Sequence, residues 1–424
     1  MGSLTVVIGA GLAGLAATLR LVQAGREVLL LEATDRVGGR LRTFRTDGGC
    51  LLDRGFQVVL DSYPSIRRLF SLETLAPRYF ASGAIIAAPD GFHRLENPLT
   101  RPASFLASAF SPVFPFADRL RLGSLALHCL LHPDRYLLGS CHRPDEESTA
   151  ALLSRLGFGA RSLNQFFRPF FGGVLLDSKL ETSSGLFRYY FRKFLTGGAF
   201  LPAGGIAELP AQLAAKLPSG VIRLKSPALG LQRVGNRVVS VRLQDGSEVA
   251  TDSLILATDG EATAKLLTGF PLRPSHGVWT FYFLTRSQLY DGPFLVLNGQ
   301  GGPIAHLMQL SNLGPGFCPP SHHLTSATVL EPGFEGGQSL AAAVRENLIR
   351  LFPAAADAEL VGEVHIPDAV PCQPPGFASS LPRQSGMDNV WLAGDQVDGA
   401  SIETAITSGE AAADRVMQST NPAP

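Results

Sequence analysis

The sequence predicts an α/β protein with a parallel, helix-covered sheet and a second domain, and three observations carry that prediction. An apolar β-type run at residues 5–8 ends in glycines, a helical pattern follows over 12–24, and a second apolar run at 28–31 closes on Glu32. That is one strand–helix–strand unit in about thirty residues. Far downstream, NVWLAGDQVDGASIETAITSGEAAADRVM reads again as strand, loop and helix. The long stretches between them differ in character, so the Rossmann-like domain is expected to be discontinuous. It takes residues 1–62, 200–265 and 385–424, leaving 63–199 and 266–384 for a substrate domain of mixed sheet and helices.

Each element has a local reason. Residues 5–8 and 28–31 are short, β-branched and leucine-rich, as strands covered on both faces should be. In the helix between them Leu15, Leu19 and Val22 recur at helical spacing, and Gly25 is its stop signal. Residues 63–199 are dense in phenylalanine and leucine with prolines between helix-like segments, which predicts a largely helical insertion. Strand and turn signals return near residue 201. A helix over 206–217 follows Gly204-Gly205, then come strands at 221–224, 238–243 and 254–257, with Asp245-Gly246 as a hairpin turn. Residues 278–284 and 304–310 read as strands of a second sheet, and 341–351 as a helix.

Composition narrows the function. Lys plus Arg and Asp plus Glu balance at 36 each, so no basic footprint points to nucleic acid. The five cysteines are scattered without a CxxC pair, which argues against a disulfide framework or a metal site and for a reducing, cytoplasmic setting. The apolar start is broken by glycines and lacks a basic n-region, so it is expected to be folded protein and not a leader. No run reaches the ~18–20 apolar residues of a membrane span.

The chemistry-bearing motif is Gly9-Ala-Gly11-Leu-Ala-Gly14, after a strand and opening a helix. Gly9 permits the tight turn, Gly11 lets a pyrophosphate lie against the backbone, and Gly14 lets helix and strand pack. The helix N-terminus offers unpaired N–H groups to the phosphates, with Leu12 and Ala13 in its first turn. Glu32, followed by Ala33, ends the second strand where a carboxylate can accept ribose hydroxyls. Two further glycines and two arginines, Arg36, Gly38, Gly39 and Arg40, follow directly.

The string VVIGAGLAGLAATLRLVQAGREVLLLEATDRVGGR resembles the flavoprotein superfamily of amine oxidases, phytoene desaturases and protoporphyrinogen oxidases. The resemblance implies FAD, with Gly38-Gly39-Arg40 along its pyrophosphate towards the flavin. It also implies that Gly55, Phe56 and Gln57 pass beside the flavin, that Leu201–Gly205 forms a further shared turn, and that the edge at Ala228 meets the adenine. Gly394-Asp395 and the helix opening at Ser401-Ile402 are implied to hold the ribityl chain and the flavin N1/O2 edge. The chain departs from the superfamily's small Gly-Ala pair at Glu403-Thr404, which bears on how closely that helix, Thr404 included, approaches the ring.

Amine oxidases of the superfamily commonly place a lysine on the second sheet; no lysine occurs between residues 276 and 323. The phenylalanine-rich insertion and RPFFGG at 168–173 suggest an elongated apolar pocket. The expected reaction is therefore phytoene desaturase-like: hydride transfer between a carotenoid or other isoprenoid and flavin N5, by desaturation, saturation or isomerisation. Trp279, Phe281, His306 and Gln309 are pocket candidates, and no catalytic residue is assigned. Rival readings are a flavin amine or amino-acid oxidase releasing hydrogen peroxide and a non-catalytic FAD-binding protein. The electron acceptor stays open among oxygen, a quinone and a nicotinamide. Residues 105–131 read equally as helices lying on a membrane surface (peripheral contact) or as a buried helical layer.

Overall fold

The computed structural model describes residues 3–97, 99, 111–331, 339–380 and 385–420. Its first sheet is five-stranded and wholly parallel, in the order Ile222–Arg223, Glu27–Leu31, Leu4–Ile8, Ser253–Leu256, Val390–Leu392. Counted along the chain, that order is third, second, first, fourth, fifth. The winding direction therefore reverses between Leu4–Ile8 and Ser253–Leu256, and ligands of such sheets bind at the strand ends beside that reversal. Val6, Val7, Leu254 and Ile255 are fully buried there, as strands covered on both faces require.

Two helices clamp the reversal. Leu12–Gln23 follows the first strand, and Ile402–Thr420 follows the last. Their packing is close: a Cβ at Gly409 would sit 2.0 Å from the Ala13 carbonyl oxygen. A three-stranded antiparallel sheet, Ala228–Val234, Arg237–Leu243 and Glu248–Ala250, flanks this unit, with Gly246 in the left-handed region at its turn.

The second sheet has seven strands, in the order Glu359–Pro371, Ser275–Thr285, His323–Leu330, His306–Gln309, Leu295–Asn298, Gly83–Ala88, Gly91–Glu96. One face carries Trp279, Phe281, Phe283, Leu307, Ala327 and Val329 into a core with the helix Leu340–Leu351. The other face turns Tyr282, Leu297, Met308 and Leu324 towards the main core. Residues 105–110, the start of the segment 105–131, lie outside the described residues. The expectation of a largely helical 63–199 leaves out a pair of strands. Helices Phe116–Leu131, Arg168–Leu175 and Ser184–Thr196 are present, but Gly83–Ala88 and Gly91–Glu96 form a hairpin on the substrate sheet. Residues 83–88 pair in parallel with Leu295–Asn298, a long-range partner that no local pattern announces.

Candidate active site and cofactor cleft

One cleft of about 1590 Å³ runs from the glycine-rich first turn, along the helix N-termini, to the substrate sheet. Drug-sized ligands usually occupy roughly 300–1,000 Å³, so this cleft is larger than a drug-sized ligand needs.

At one end the backbone is shaped for an anion. Gly9 has φ +100°, and a Cβ there would collide with the Ala257 carbonyl at 2.7 Å. Gly14 touches the Gly9 carbonyl so closely that a Cβ would lie 1.9 Å from it. Gly11, by contrast, has open space where a Cβ would stand. It caps the helix Leu12–Gln23 with no side-chain hydrogen bond, and no acid lies in the first turn. The first N–H groups are thus left for a ligand, the arrangement that binds a pyrophosphate. Glu32 is buried at 6% exposure, its carboxylate accepting from the Ala10 N–H at 2.9 Å and from the Thr34 hydroxyl at 2.7 Å. Those bonds aim it into the cleft with lone pairs to spare for ribose hydroxyls.

The far motif arrives by tertiary contact. Ser408 Oγ accepts the Gly394 N–H at 2.9 Å, fixing the turn after Val390–Leu392 against the last helix. Asp395 then pairs with Arg40 (Nη2–Oδ2 2.5 Å), while Arg40 Nη1 donates to the Ala369 carbonyl at 2.7 Å. The Asp395 charge holds the Arg40 guanidinium above its ordinary range, against burial. Ser401 Oγ caps the last helix by accepting the Thr404 N–H at 3.0 Å.

Gly9, Gly11, Leu12, Ala13, Glu32, Ala33, Gly38, Gly39, Arg40, Gly55, Phe56, Gln57, Ala228, Gly394, Asp395, Ser401 and Ile402 all line this cleft. Three expected cofactor contacts do not. Gly14 packs beneath the turn. Arg36 is 57% exposed and paired with Asp35. Thr404 turns its hydroxyl back to the Gly399 carbonyl. Glu403, the departure from the family pattern, faces away and accepts the Ser65 N–H at 3.0 Å, with its pKa raised by burial. Gly204-Gly205 also lies outside the cleft; the Ile206 N–H beside it donates to the buried carboxylate of Asp53 at 3.0 Å. Burial pushes the Asp53 carboxyl up to about 6, with the Thr43 and Ile206 hydrogen bonds opposing.

Of the pocket candidates, His306 lines the cleft. Its ring sits 5.4 Å from that of Phe56, and a Cβ on Gly173 would meet its Nδ1 at 2.4 Å. Burial pulls its pKa down to about 4, with the Pro169 carbonyl pulling weakly upward, so the ring is neutral near pH 7. Trp279 and Phe281 project from the opposite sheet face into the separate core, and the Gln309 side chain accepts the Leu289 N–H at 3.1 Å. Strand alternation allowed either face, and the helix Leu340–Leu351 decided it.

Sequence reading missed Thr258, Asp259 and Gly260, which line the cleft after Ser253–Leu256. The signal was available: a strand, the turn Ala-Thr-Asp-Gly and a helix capped by Asp259, whose carboxylate accepts the Ala262 N–H. Arg273, which donates to the Asp395 and Cys372 carbonyls, left no such trace. Among the described residues no cluster of three or more His, Cys, Asp or Glu could hold a metal.

The family model described as flavin containing amine oxidoreductase matches residues 12–417. The phytoene dehydrogenase of Streptomyces griseus is 28% identical over 291 residues, covering 63% of this chain and 57% of that protein. A lycopene-forming phytoene desaturase of Pseudescherichia vulneris is 27% identical over 301 residues, covering 62% and 57%. The matches thus span little more than half the length of these relatives. Among solved structures, an oxidoreductase from Methanosarcina mazei superposes with TM-score 0.73 at 18% identity, covering 98% of this chain and 100% of that one. Cyclohexylamine oxidase from Brevibacterium oxydans gives 0.70 at 18%, covering 99% and 100%. These likenesses establish the fold. Since the family match runs along nearly the whole chain and the cleft has the form a dinucleotide needs, the chain belongs to the flavin containing amine oxidoreductase family, with FAD as its cofactor.

Proposed function

We propose that this chain is a phytoene desaturase-like oxidoreductase that moves a hydride between an elongated apolar isoprenoid, of the carotenoid type, and flavin. The observation that carries the reading is the cleft's second end. Beyond Phe56 it continues into a chamber walled by Phe114, Leu130, Phe166, Phe170, Phe194 and Leu195. Such walls favour hydrocarbon by about 25 cal/mol for each Å² removed from water, and a long polyene gains this along its whole length. A cationic amine would lose its hydration there. The matched relatives named as phytoene dehydrogenase and phytoene desaturase support the same substrate class.

FAD supplies the redox chemistry, taking up or returning two electrons with a hydride. The chain's own residues bind and orient. Gly9–Ala13 and Glu32 would hold the ADP half, and Arg40, Asp395 and the N-terminal turn of Ile402–Thr420 the flavin half. That helix end carries a partial positive charge and would stabilise negative charge at the ring edge. His306, buried and neutral at pH 7, forms part of the cleft wall beside Phe56. In this division of labour residues 63–199 and 266–384 form the substrate side. A substrate of this kind partitions into lipid, so the enzyme must meet a lipid phase.

The test is anaerobic mixing of the purified yellow protein with phytoene-type polyenes and, separately, with primary amines, following flavin absorbance and peroxide. The expected result is a polyene-dependent spectral change and no response to amines. Rapid bleaching by a primary amine with peroxide release on admitting oxygen would overturn the reading.

A further inference from the structure

We infer that Thr328 and His306 form a hydroxyl-recognition subsite in the substrate wall of the cleft, so that the isoprenoid taken by this chain carries an alcohol group. The inference rests on the isoprenoid reading and adds the polar group by which the substrate is chosen and oriented. The two residues stand opposite one another on adjacent antiparallel strands of the seven-stranded sheet. Both are buried, His306 at 5% and Thr328 at 2% exposure, and both line the cleft. Val278, Leu295 and Ile366 of the same sheet line it with hydrocarbon. Among the described residues, neither the Thr328 hydroxyl nor His306 Nδ1 has a hydrogen-bond partner. Buried polar atoms are ordinarily paired, because each has given up water on folding. Two neighbouring unpaired atoms in one wall therefore call for a ligand that pairs both.

The chemistry of the pair selects the group. Pro169 offers only a carbonyl, so the ring nitrogen of His306 bonded to it carries the hydrogen, and the unpartnered Nδ1 of the neutral ring is an acceptor. Thr328 has a hydroxyl hydrogen to give. An alcohol oxygen satisfies both at once, donating to Nδ1 and accepting from Thr328. A carbonyl oxygen could only accept, and a hydrocarbon leaves both atoms unpaired. Gly173 keeps the nitrogen open: a Cβ there, within the helix Arg168–Leu175, would stand 2.4 Å from Nδ1 and 2.5 Å from Cε1. Glycine inside a helix is unfavourable relative to alanine, so this one has a local reason. The subsite stands where the cofactor end of the cleft gives way to the apolar chamber. On one side the His306 ring is 5.4 Å from that of Phe56; on the other, Phe170 of the chamber wall shares a helix with Gly173. A substrate held there by its hydroxyl would turn its oxygen-bearing carbon towards the flavin end and lay the rest of its chain along the chamber. Thr280, opposite Thr328 on the next strand, is also unpaired, but it faces Gly55 and does not line the cleft.

The experiment titrates the FAD-loaded protein, in one detergent, with radiolabelled geranylgeraniol, with geranylgeranial and with the hydrocarbon of the same skeleton, following the ligand retained on the protein. The alcohol is expected to bind at least about tenfold more tightly than the hydrocarbon, with the aldehyde between them. Thr328→Val keeps the shape and loses the hydroxyl, so it should bring the alcohol-to-hydrocarbon ratio below about threefold, whereas Thr328→Ser should keep the preference. Gly173→Ala covers Nδ1 while both side chains stay, and it should lower the ratio as well. Flavin content and thermal unfolding check that each variant is folded. An alcohol preference that survives in Thr328→Val overturns the inference. Equal binding of alcohol and hydrocarbon by the wild type overturns it alone, whereas binding of none of the three ligands overturns the isoprenoid reading beneath it.

Discussion

Arg40 and Asp395, which belong to the first and last motifs of the chain, meet as an ion pair at 2.5 Å in the wall of the cleft. With its second amine on the Ala369 carbonyl, Arg40 ties both motifs to the longest strand of the substrate sheet. Arg40→Ala would leave Asp395, whose side chain is 7% exposed, without its partner. Breaking a buried pair costs ~3–5 kcal/mol; with Arg40 itself 39% exposed, ~1–3 kcal/mol is the expectation. FAD titration should show at least about tenfold weaker binding, and Arg40→Lys should recover part of it, because it keeps the charge and loses the fork of donors. Unchanged affinity in Arg40→Ala would remove the pair from the cofactor site.

Gly11 and Gly14 are expected to fail in different ways. Gly11 has an extended backbone that any residue adopts and free space at the Cβ position, so Gly11→Ala should leave the thermal stability of the apoprotein within about 1 °C. Its methyl group would stand where the pyrophosphate approaches, so FAD affinity should fall by about tenfold or more. Gly14→Ala drives a methyl into the Gly9 carbonyl, and expression and folding should suffer before binding can be measured. Equal loss of stability in both variants would contradict the assignment.

Asp53 should make stability depend on pH. Its folded pKa of about 6 lies above the ordinary aspartate value of about 3.9, so the folded state binds more protons than the unfolded state between them. The contribution is therefore favourable below pH ~4 and is lost as pH rises through about 6, amounting to up to ~2–3 kcal/mol. Asp53→Asn keeps an oxygen for the Thr43 hydroxyl and the Ile206 N–H without the buried charge. Denaturant unfolding of the two proteins should show a difference that shifts in favour of the variant from pH 4 to pH 7. A constant difference across that range would show that Asp53 titrates normally.

How far the sequence could be read follows from where its signals are local. The strand, glycine turn, helix and Glu32 lie within one short stretch, and each needs only backbone geometry and close approach to be recognised. They specified the α/β class and the dinucleotide turn, while the family resemblance carried by Gly38-Gly39-Arg40 and Gly394-Asp395 implied the cofactor. Arg36 showed the limit of that reading: its neighbours enter the cleft, while its own side chain pairs with Asp35 in solvent.

What the sequence determined by itself was the glycine turn, the helix that opens on it and the acid that ends the second strand, because these are written in consecutive residues. Tertiary structure alone decided which face of the second sheet meets the cleft, sending His306 in and Trp279 and Phe281 away. It also turned Glu403 towards Ser65 and recruited the hairpin at 83–96 to the substrate sheet. The physical reason is common to all three. Local periodicity in a strand or helix fixes which side chains share a face, but the partner that covers each face comes from a distant part of the chain.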